Sequence, residues 1–148
     1  MSKKSDLRRD KSFLDTNILV YAHDSAETKK KEVARQLIRE LFKEGFGAIS
    51  TQVLQEFYVA VTGKIQKPLG ISEAQKAIEK YGEFYTVHVD EPLIQRAINL
   101  HRREEVSFWD ALVIAAAGRV DCRTLYSEDL NHGQKYGSVE VVNPFLTD

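Results

Sequence analysis

Asp15, Glu56, Asp110 and Asp129 each stand at the edge of an apolar segment, where an open parallel sheet places the carboxyl ends of its strands and the helices beside them. Carboxylates that converge there from distant parts of a chain suit Mg²⁺, a hard cation that takes oxygen ligands in octahedral geometry. Four of them gathered without cations would repel one another. Each acid also has an ordinary structural use. Asp15 can cap a helix starting near Asn17, Asp110 can close a shortened capping box with Ser107, Glu56 can sit on the surface of an amphipathic helix, and Asp129 can be a turn aspartate. Glu56 and Asp110 fit those uses less well. Glu56 adjoins the apolar stripe of Val53 and Phe57, where an unpaired carboxylate is costly. Asp110 opens a helix that is nearly all apolar, from which a first-turn carboxylate favoured by the helix dipole can also aim at the sheet rim.

The elements that must carry these acids are legible in the apolar periodicity. Ser12 to Leu14 reads as a strand ending at Asp15, followed by a turn and a helix start at Ile18 to Tyr21. Val33, Ala34, Leu37, Ile38 and Leu41 recur at helical spacing from Lys29 to Phe42, with Lys and Arg on the other face and Gly45 as terminator. Gly47 to Ser50 is a short strand, and Ser50 or Thr51 caps the next helix, which ends at Gly63. Lys64 to Gly70, with Pro68, reads as a loop, and Ser72 with Gln75 has the spacing of a capping box opening a helix to about Glu83. Tyr85 to Val89 is a strand; Asp90 and Pro92 announce a helix through His101; Ser107 starts a helix that apolar residues surround, hence a buried one. Arg123 to Tyr126 and Val139 to Val142 supply the last strands. Strands alternating with helices predict a parallel sheet covered on both faces, with right-handed crossovers. Asp15 then lies just past the first strand and Asp129 just past the fourth.

The 148 residues fit one domain, with 43% hydrophobic and 29% charged residues, as in ordinary globular proteins. Cys122 is the only cysteine, which excludes an internal disulfide framework or a Cys-rich zinc site and fits a reducing, cytoplasmic setting. No secretory signal or membrane-length apolar run is present. The net charge of −1 divides unevenly: residues 1–11 form a basic extension of +3, through Lys3, Lys4, Arg8, Arg9 and Lys11, leaving −4 on residues 12–148, read as one domain. Neither a complete dinucleotide-binding glycine fingerprint, nor a phosphate loop, nor a His-Glu-x-x-His pair occurs.

Phe13-Leu14-Asp15-Thr16-Asn17-Ile18-Leu19-Val20-Tyr21-Ala22, Gln55-Glu56-Phe57, Ser107-Phe108-Trp109-Asp110-Ala111 and Leu125-Tyr126-Ser127-Glu128-Asp129-Leu130 resemble, in order and spacing, the motifs of PIN-domain ribonucleases, most closely VapC-like toxins of type II toxin-antitoxin modules. The likeness runs from Ser12 to the C-terminus. It implies a three-layer α/β/α fold around a central, mostly parallel sheet. It further implies that Asp15, Glu56, Asp110 and Asp129 hold one or two Mg²⁺ or Mn²⁺ ions and that the enzyme cuts RNA by metal-activated water, leaving a 5′-phosphate and a 3′-hydroxyl. Thr16, Asn17 and Ser127 match supporting polar positions. Glu128 is an alternative or assisting outer ligand, although successive residues point different ways and Asp129 matches the family's pattern. A homodimer and an antitoxin partner come with the same resemblance.

Substrate contacts have to come from other groups, since acids cannot grip a phosphate backbone. Lys64, Lys67 and Lys135 are candidates, each equally readable as a solvated surface lysine, and Trp109 is a candidate base-stacking ring, although an aromatic at that place is more often core. Three other readings compete: a PIN-type nuclease of RNA maturation or decay without an antitoxin, a non-catalytic RNA- or protein-binding module, and a phosphotransferase with Asp15 as nucleophile. The last wants a second acid two residues on, where this chain has Asn17.

Overall fold

The computed structural model describes residues 11–146. The basic extension expected at residues 1–11 therefore lies outside the described residues, apart from Lys11, whose ammonium stands 5.3 Å from the centre of the Tyr85 ring. In chain order the elements are β1 (Ser12–Leu14), α1 (Thr16–Tyr21), α2 (Thr28–Glu44), β2 (Gly47–Ser50), α3 (Thr51–Gly63), α4 (Ile71–Tyr81), β3 (Tyr85–Val87), α5 (Glu91–Arg103), α6 (Phe108–Arg119), β4 (Thr124–Tyr126), β5 (Lys135–Tyr136) and β6 (Val139–Val142).

Six strands make one sheet in the order β3-β2-β1-β4-β6-β5, parallel except where β5 pairs antiparallel with β6. The chain builds outward from β1 through β2 to β3 and then returns to the other side of β1 as β4. With right-handed crossovers this places α1 to α4 on one face and α5 and α6 on the other. The observed contacts agree: α1 meets α2 and α3, α3 meets α4, and α5 packs on α6, which in turn crosses β2 and β6. The architecture is the expected three layers around a mostly parallel sheet.

Local signals set most boundaries. Gly45 ends α2 in the left-handed region at φ 81°, which glycine adopts without a Cβ clash. The Ser50 hydroxyl accepts from Val53 N at 3.3 Å and caps α3, and Asp90 caps α5 ahead of Pro92 by accepting from Leu93 N at 3.0 Å. Two boundaries differ from the sequence pattern. Helix α4 is capped at Gly70, whose N–H donates to Glu73 at 3.1 Å, so the Glu73 carboxylate takes the part that Ser72 and Gln75 were expected to share. Strand β3 stops at Val87, because Val89 N donates to the Thr51 hydroxyl and leaves the ladder.

In α6 every residue from Ala111 to Ala117 is buried, as its uniformly apolar sequence requires for a helix wedged between α5 and the sheet. No helix among the described residues is long and apolar enough to cross a membrane. One close approach in the core gives a test. A Cβ added at Gly47 would lie 2.4 Å from Phe84 Cε1, on a buried ring already stacked on Phe42 at 4.0 Å between centroids. Gly47→Ala should therefore lower the unfolding free energy by about 1–3 kcal/mol, the usual effect of overpacking, seen as a lower urea midpoint with unchanged slope.

Candidate active site at the reversal of strand order

The last residues of β1, β4 and β6 are level: Leu14 pairs with Tyr126 and Tyr126 with Val142. Asp15 and Ser127 therefore leave the sheet side by side, and Asp15 N donates to Tyr126 O at 3.0 Å. This is also where strand order reverses, since β1 leads first to β2 and the chain later returns on its other side at β4. Such switch points open the crevice in which parallel sheets bind ligands.

Asp15 is buried at 5% exposure. One carboxylate oxygen accepts from Thr16 N at 2.7 Å, which makes Asp15 the N-cap of α1; the other accepts from the Ser127 hydroxyl at 2.7 Å. The Ser127 oxygen in turn accepts from Asp129 N at 3.1 Å, which ties the turn after β4 to Asp15. Asn17 locks the same turn from α1: its Oδ1 accepts from Glu128 N and its Nδ2 donates to Asp129 Oδ2, both at 3.1 Å. Thr16 faces the other way, and its hydroxyl donates to Glu56 Oε1 at 2.7 Å. One short run, Asp15-Thr16-Asn17, thus touches both Glu56 on α3 and Asp129 beyond β4.

Asp110 joins through Gln52, a residue the sequence reading missed. Gln52 Nε2 donates to Glu56 Oε2 at 3.1 Å and to the carbonyl of Trp109 at 3.3 Å. The available signal was its place four residues before Glu56, on the same face of α3. Asp110 itself sits in the first turn of α6, its N–H donating to the Ser107 cap at 3.1 Å. Caps and converging acids are here the same residues, so the bland and the functional readings of Asp15 and Asp110 are compatible.

Glu128 and Asp129 diverge. Glu128 accepts from Tyr21 at 2.6 Å and forms an ion pair with Lys30, so its carboxylate already has a cation. Burial pushes Glu128 up, but the hydrogen bonds from Lys30 and Tyr21 outweigh it and hold the carboxyl below its ordinary value. Asp129 is exposed beside Asn17, and no ion pair among the described residues involves it or the other three acids. Lys64 and Lys67 are exposed; Lys64 caps the far end of α3, eight residues or about 12 Å along the axis from Glu56. Lys135 is exposed on edge strand β5, across from Glu140. None of the three forms an ion pair with the acids among the described residues. Trp109, expected in the core, is 59% exposed beside Asp110, with its ring edge-on to Phe108.

The acids feel one another. Burial raises the Asp15 carboxyl to about 6, the Ser127 and Thr16 hydrogen bonds oppose it, and the charges of Asp129 and Glu56 push it further up. Asp110 is raised as well, by burial first and then by the same two carboxylates. Gln52 Oε1 is buried without a hydrogen-bond partner, one more acceptor in a region already rich in them. Among the described residues no three acids, His or Cys stand close enough together to enclose an ion. What joins Asp15, Glu56 and Asp129 is the hydrogen-bond web through Thr16, Asn17 and Ser127; Asp110 shares their field, beside Trp109 whose carbonyl Gln52 holds. An excess of carboxylate oxygens supported by neutral donors is the ligand chemistry Mg²⁺ and Mn²⁺ take, and it does not resemble the nitrogen and sulfur sets of zinc. In chemical type the residues fit such an ion, although in this conformation the described acids do not stand close enough together to enclose one.

Residues 12–137 match the family model of the PIN domain, and the chain belongs to that family. Similar solved structures include a toxin-antitoxin complex from Klebsiella pneumoniae, at 18% identity and TM-score 0.68, covering 90% of this chain and 98% of the other. A sarcin-ricin-loop-cleaving toxin of Mycobacterium tuberculosis, VapC20, aligns at 21% identity and TM-score 0.60, over 80% and 89% of the two chains. The VapBC2 pair of Rickettsia felis, bound to a fragment of its promoter DNA, aligns at 18% and 0.58, over 88% and 96%. At these identities the likeness is one of fold. No curated protein matches the chain by sequence.

The Asp15 environment has a consequence for stability. Because its folded pKa of about 6 lies above the ordinary 3.8, Asp15 favours folding below the lower value, and that contribution is withdrawn as pH rises through the upper one. The shift corresponds to about 3 kcal/mol. In chelator-treated protein, the unfolding free energy of wild type relative to Asp15→Asn should fall by up to that amount from about pH 4 to about pH 7.5, measured by urea titration. A difference that stays flat would contradict the burial of this carboxylate.

Proposed function

We propose that this chain is a divalent-metal-dependent endoribonuclease and the toxin of a toxin-antitoxin pair, with Asp15, Glu56, Asp110 and Asp129 as metal ligands. The observation that carries the reading is that Asp15, Glu56 and Asp129 are hydrogen-bonded into one web at the strand-order reversal through Thr16, Asn17 and Ser127, with Asp110 in the same field, and that none of the four is paired with a base among the described residues. An acidic crevice of this kind repels phosphate until cations enter it. When bound, one or two Mg²⁺ or Mn²⁺ ions would supply acidified water and positive charge to offset the developing negative charge, chemistry whose expected products are a 5′-phosphate and a 3′-hydroxyl.

The chain's own residues set the geometry. Asp15 is fixed from two sides by Thr16 N and Ser127, so one rigid ligand is in place before binding. Thr16 orients Glu56 and Asn17 orients Asp129, whereas Glu128 serves as the anchor of the turn through Lys30 and Tyr21. Trp109 offers an exposed indole next to Asp110 on which an RNA base can stack. PIN membership and the toxins among the structural relatives support RNA as substrate and an antitoxin as partner, and a homodimeric assembly is part of the same proposal.

The test incubates total RNA with wild type, Asp15→Asn, Asp110→Asn and Glu128→Gln proteins, with Mg²⁺, with Mn²⁺ and with a chelator. Wild-type cleavage should require metal, the two Asp→Asn variants should fall to background, and Glu128→Gln should keep metal-dependent activity. Cleavage that survives both Asp15→Asn and the chelator would refute the assignment. For the toxin role, induced expression of wild type in a bacterial host should arrest growth and Asp15→Asn should not; equal growth of both would contradict it.

A further inference from the structure

Among the described residues four polar side chains are buried: Asp15, Ser50, Gln52 and Ser127. Ser50 caps α3, and Asp15 and Ser127 are bonded to each other. Gln52, 5% exposed, is the one of the four that keeps a buried polar atom without a hydrogen-bond partner, its Oε1. A buried acceptor left unpaired opposes folding, so a side chain that retains one calls for a reason other than stability. The amide cannot improve its bonding by turning over. Its Nε2 faces two acceptors, Glu56 Oε2 at 3.1 Å and Trp109 O at 3.3 Å, and an oxygen in that place would be repelled by both.

The two bonds hold particular groups. Gln36 with Glu40 and Gln95 with Glu91 have the same four-residue spacing, but both pairs are exposed and neither amide is joined to a second element among the described residues. Those are ordinary helix-surface pairs. Gln52 instead reaches from the first turn of α3 to a carbonyl 57 residues on, in the first turn of α6. With the Thr16 hydroxyl on Oε1 and Gln52 on Oε2, both oxygens of Glu56 are held by neutral donors. The Trp109 carbonyl belongs to the peptide unit that enters Asp110, and the N–H of that same unit donates to the Ser107 hydroxyl at 3.1 Å. The unit is therefore pinned on both edges, from α3 and from the cap of α6. One amide thus ties the Glu56 carboxylate to the backbone that carries Asp110.

We infer that Gln52 is a positioning residue of the acid site, setting the separation of Glu56 and Asp110 so that both can serve one cation. It acts through those two acids and not on a reacting atom, and its unpaired oxygen is the consequence of pointing both N–H groups at them. The inference rests on the metal-dependent nuclease reading above.

The test replaces Gln52 in the full-length protein by Met, which is similar in length and neither donates nor accepts strongly. Chelator-treated Gln52→Met should keep the wild-type urea midpoint, because loss of two hydrogen bonds is offset by removal of the unpaired oxygen. Its Mn²⁺ affinity, followed by electron paramagnetic resonance of the free ion, should fall about tenfold, the usual effect of removing a group that orients a ligand. In a cycle with Glu56→Gln, the double variant should lose clearly less than the product of the two single factors, since both changes act on one carboxylate. The Mn²⁺ concentration giving half-maximal RNA cleavage should rise by the same factor as the affinity falls, with KM for RNA unchanged. Wild-type Mn²⁺ affinity in Gln52→Met, or a double variant that reproduces the product to within about twofold, overturns the positioning role while leaving metal-dependent cleavage intact. Should Gln52→Met not fold, Gln52→Asn takes its place, keeping an amide but one methylene too short to hold both acceptors. Failure of both to fold would make Gln52 a core residue and refute the role. Absence of Mn²⁺ binding from wild type would count against the nuclease reading itself, and this inference would fall with it.

Discussion

A carboxylate buried at the junction of two parallel strands is the constraint around which this molecule is organised. Asp15 leaves β1 level with the end of β4, and its two oxygens are satisfied only by groups the fold itself delivers, the first N–H of α1 and the hydroxyl of Ser127. If either strand slipped by one residue, Asp15 would lose Ser127 and its alternation with Leu14 would turn the carboxylate into the core. Sheet register and site geometry are thus one requirement. The energetic tension is visible in the raised carboxyl, which burial opposes as an anion and which the charges of Asp129 and Glu56 oppose further.

Charge is partitioned finely around that carboxylate. Glu128 and Asp129 are adjacent in sequence, yet one turns to Lys30 and Tyr21 as part of the scaffold and the other stays with Asn17 at the crevice. Neutral donors, namely Thr16, Asn17, Ser127 and Gln52, surround the acids where a lysine or arginine would have neutralised them. Under the nuclease reading this has a physical sense: a neutral shell leaves the carboxylates free to take a cation.

Much of this was readable in the residues because the patterns were redundant. Uniform apolarity identified α6 as buried, and Asp90 with Pro92 marked the start of α5. The acids could be placed at the rim because strand–helix alternation fixes which end of a parallel sheet each loop occupies. The gaps have equally physical causes. The two residues of β5 carry no periodicity, and the start of α4 depended on a side chain reaching back to Gly70 N, which competing Ser, Glu and Gln positions left ambiguous. Gln52 and Lys30 escaped notice because an amide and a lysine on amphipathic helices look like ordinary surface until their partners from elsewhere in the chain are known.

The central claim is that four separate carboxylates act as one cation site. Titration of Mn²⁺ into wild type and into Asp15→Asn, Glu56→Gln, Asp110→Asn and Asp129→Asn, followed by electron paramagnetic resonance of the free ion, tests it most directly. Each single substitution should weaken the same binding event seen in wild type. Mn²⁺ binding that is absent from wild type, or that persists undiminished in these variants, would contradict it.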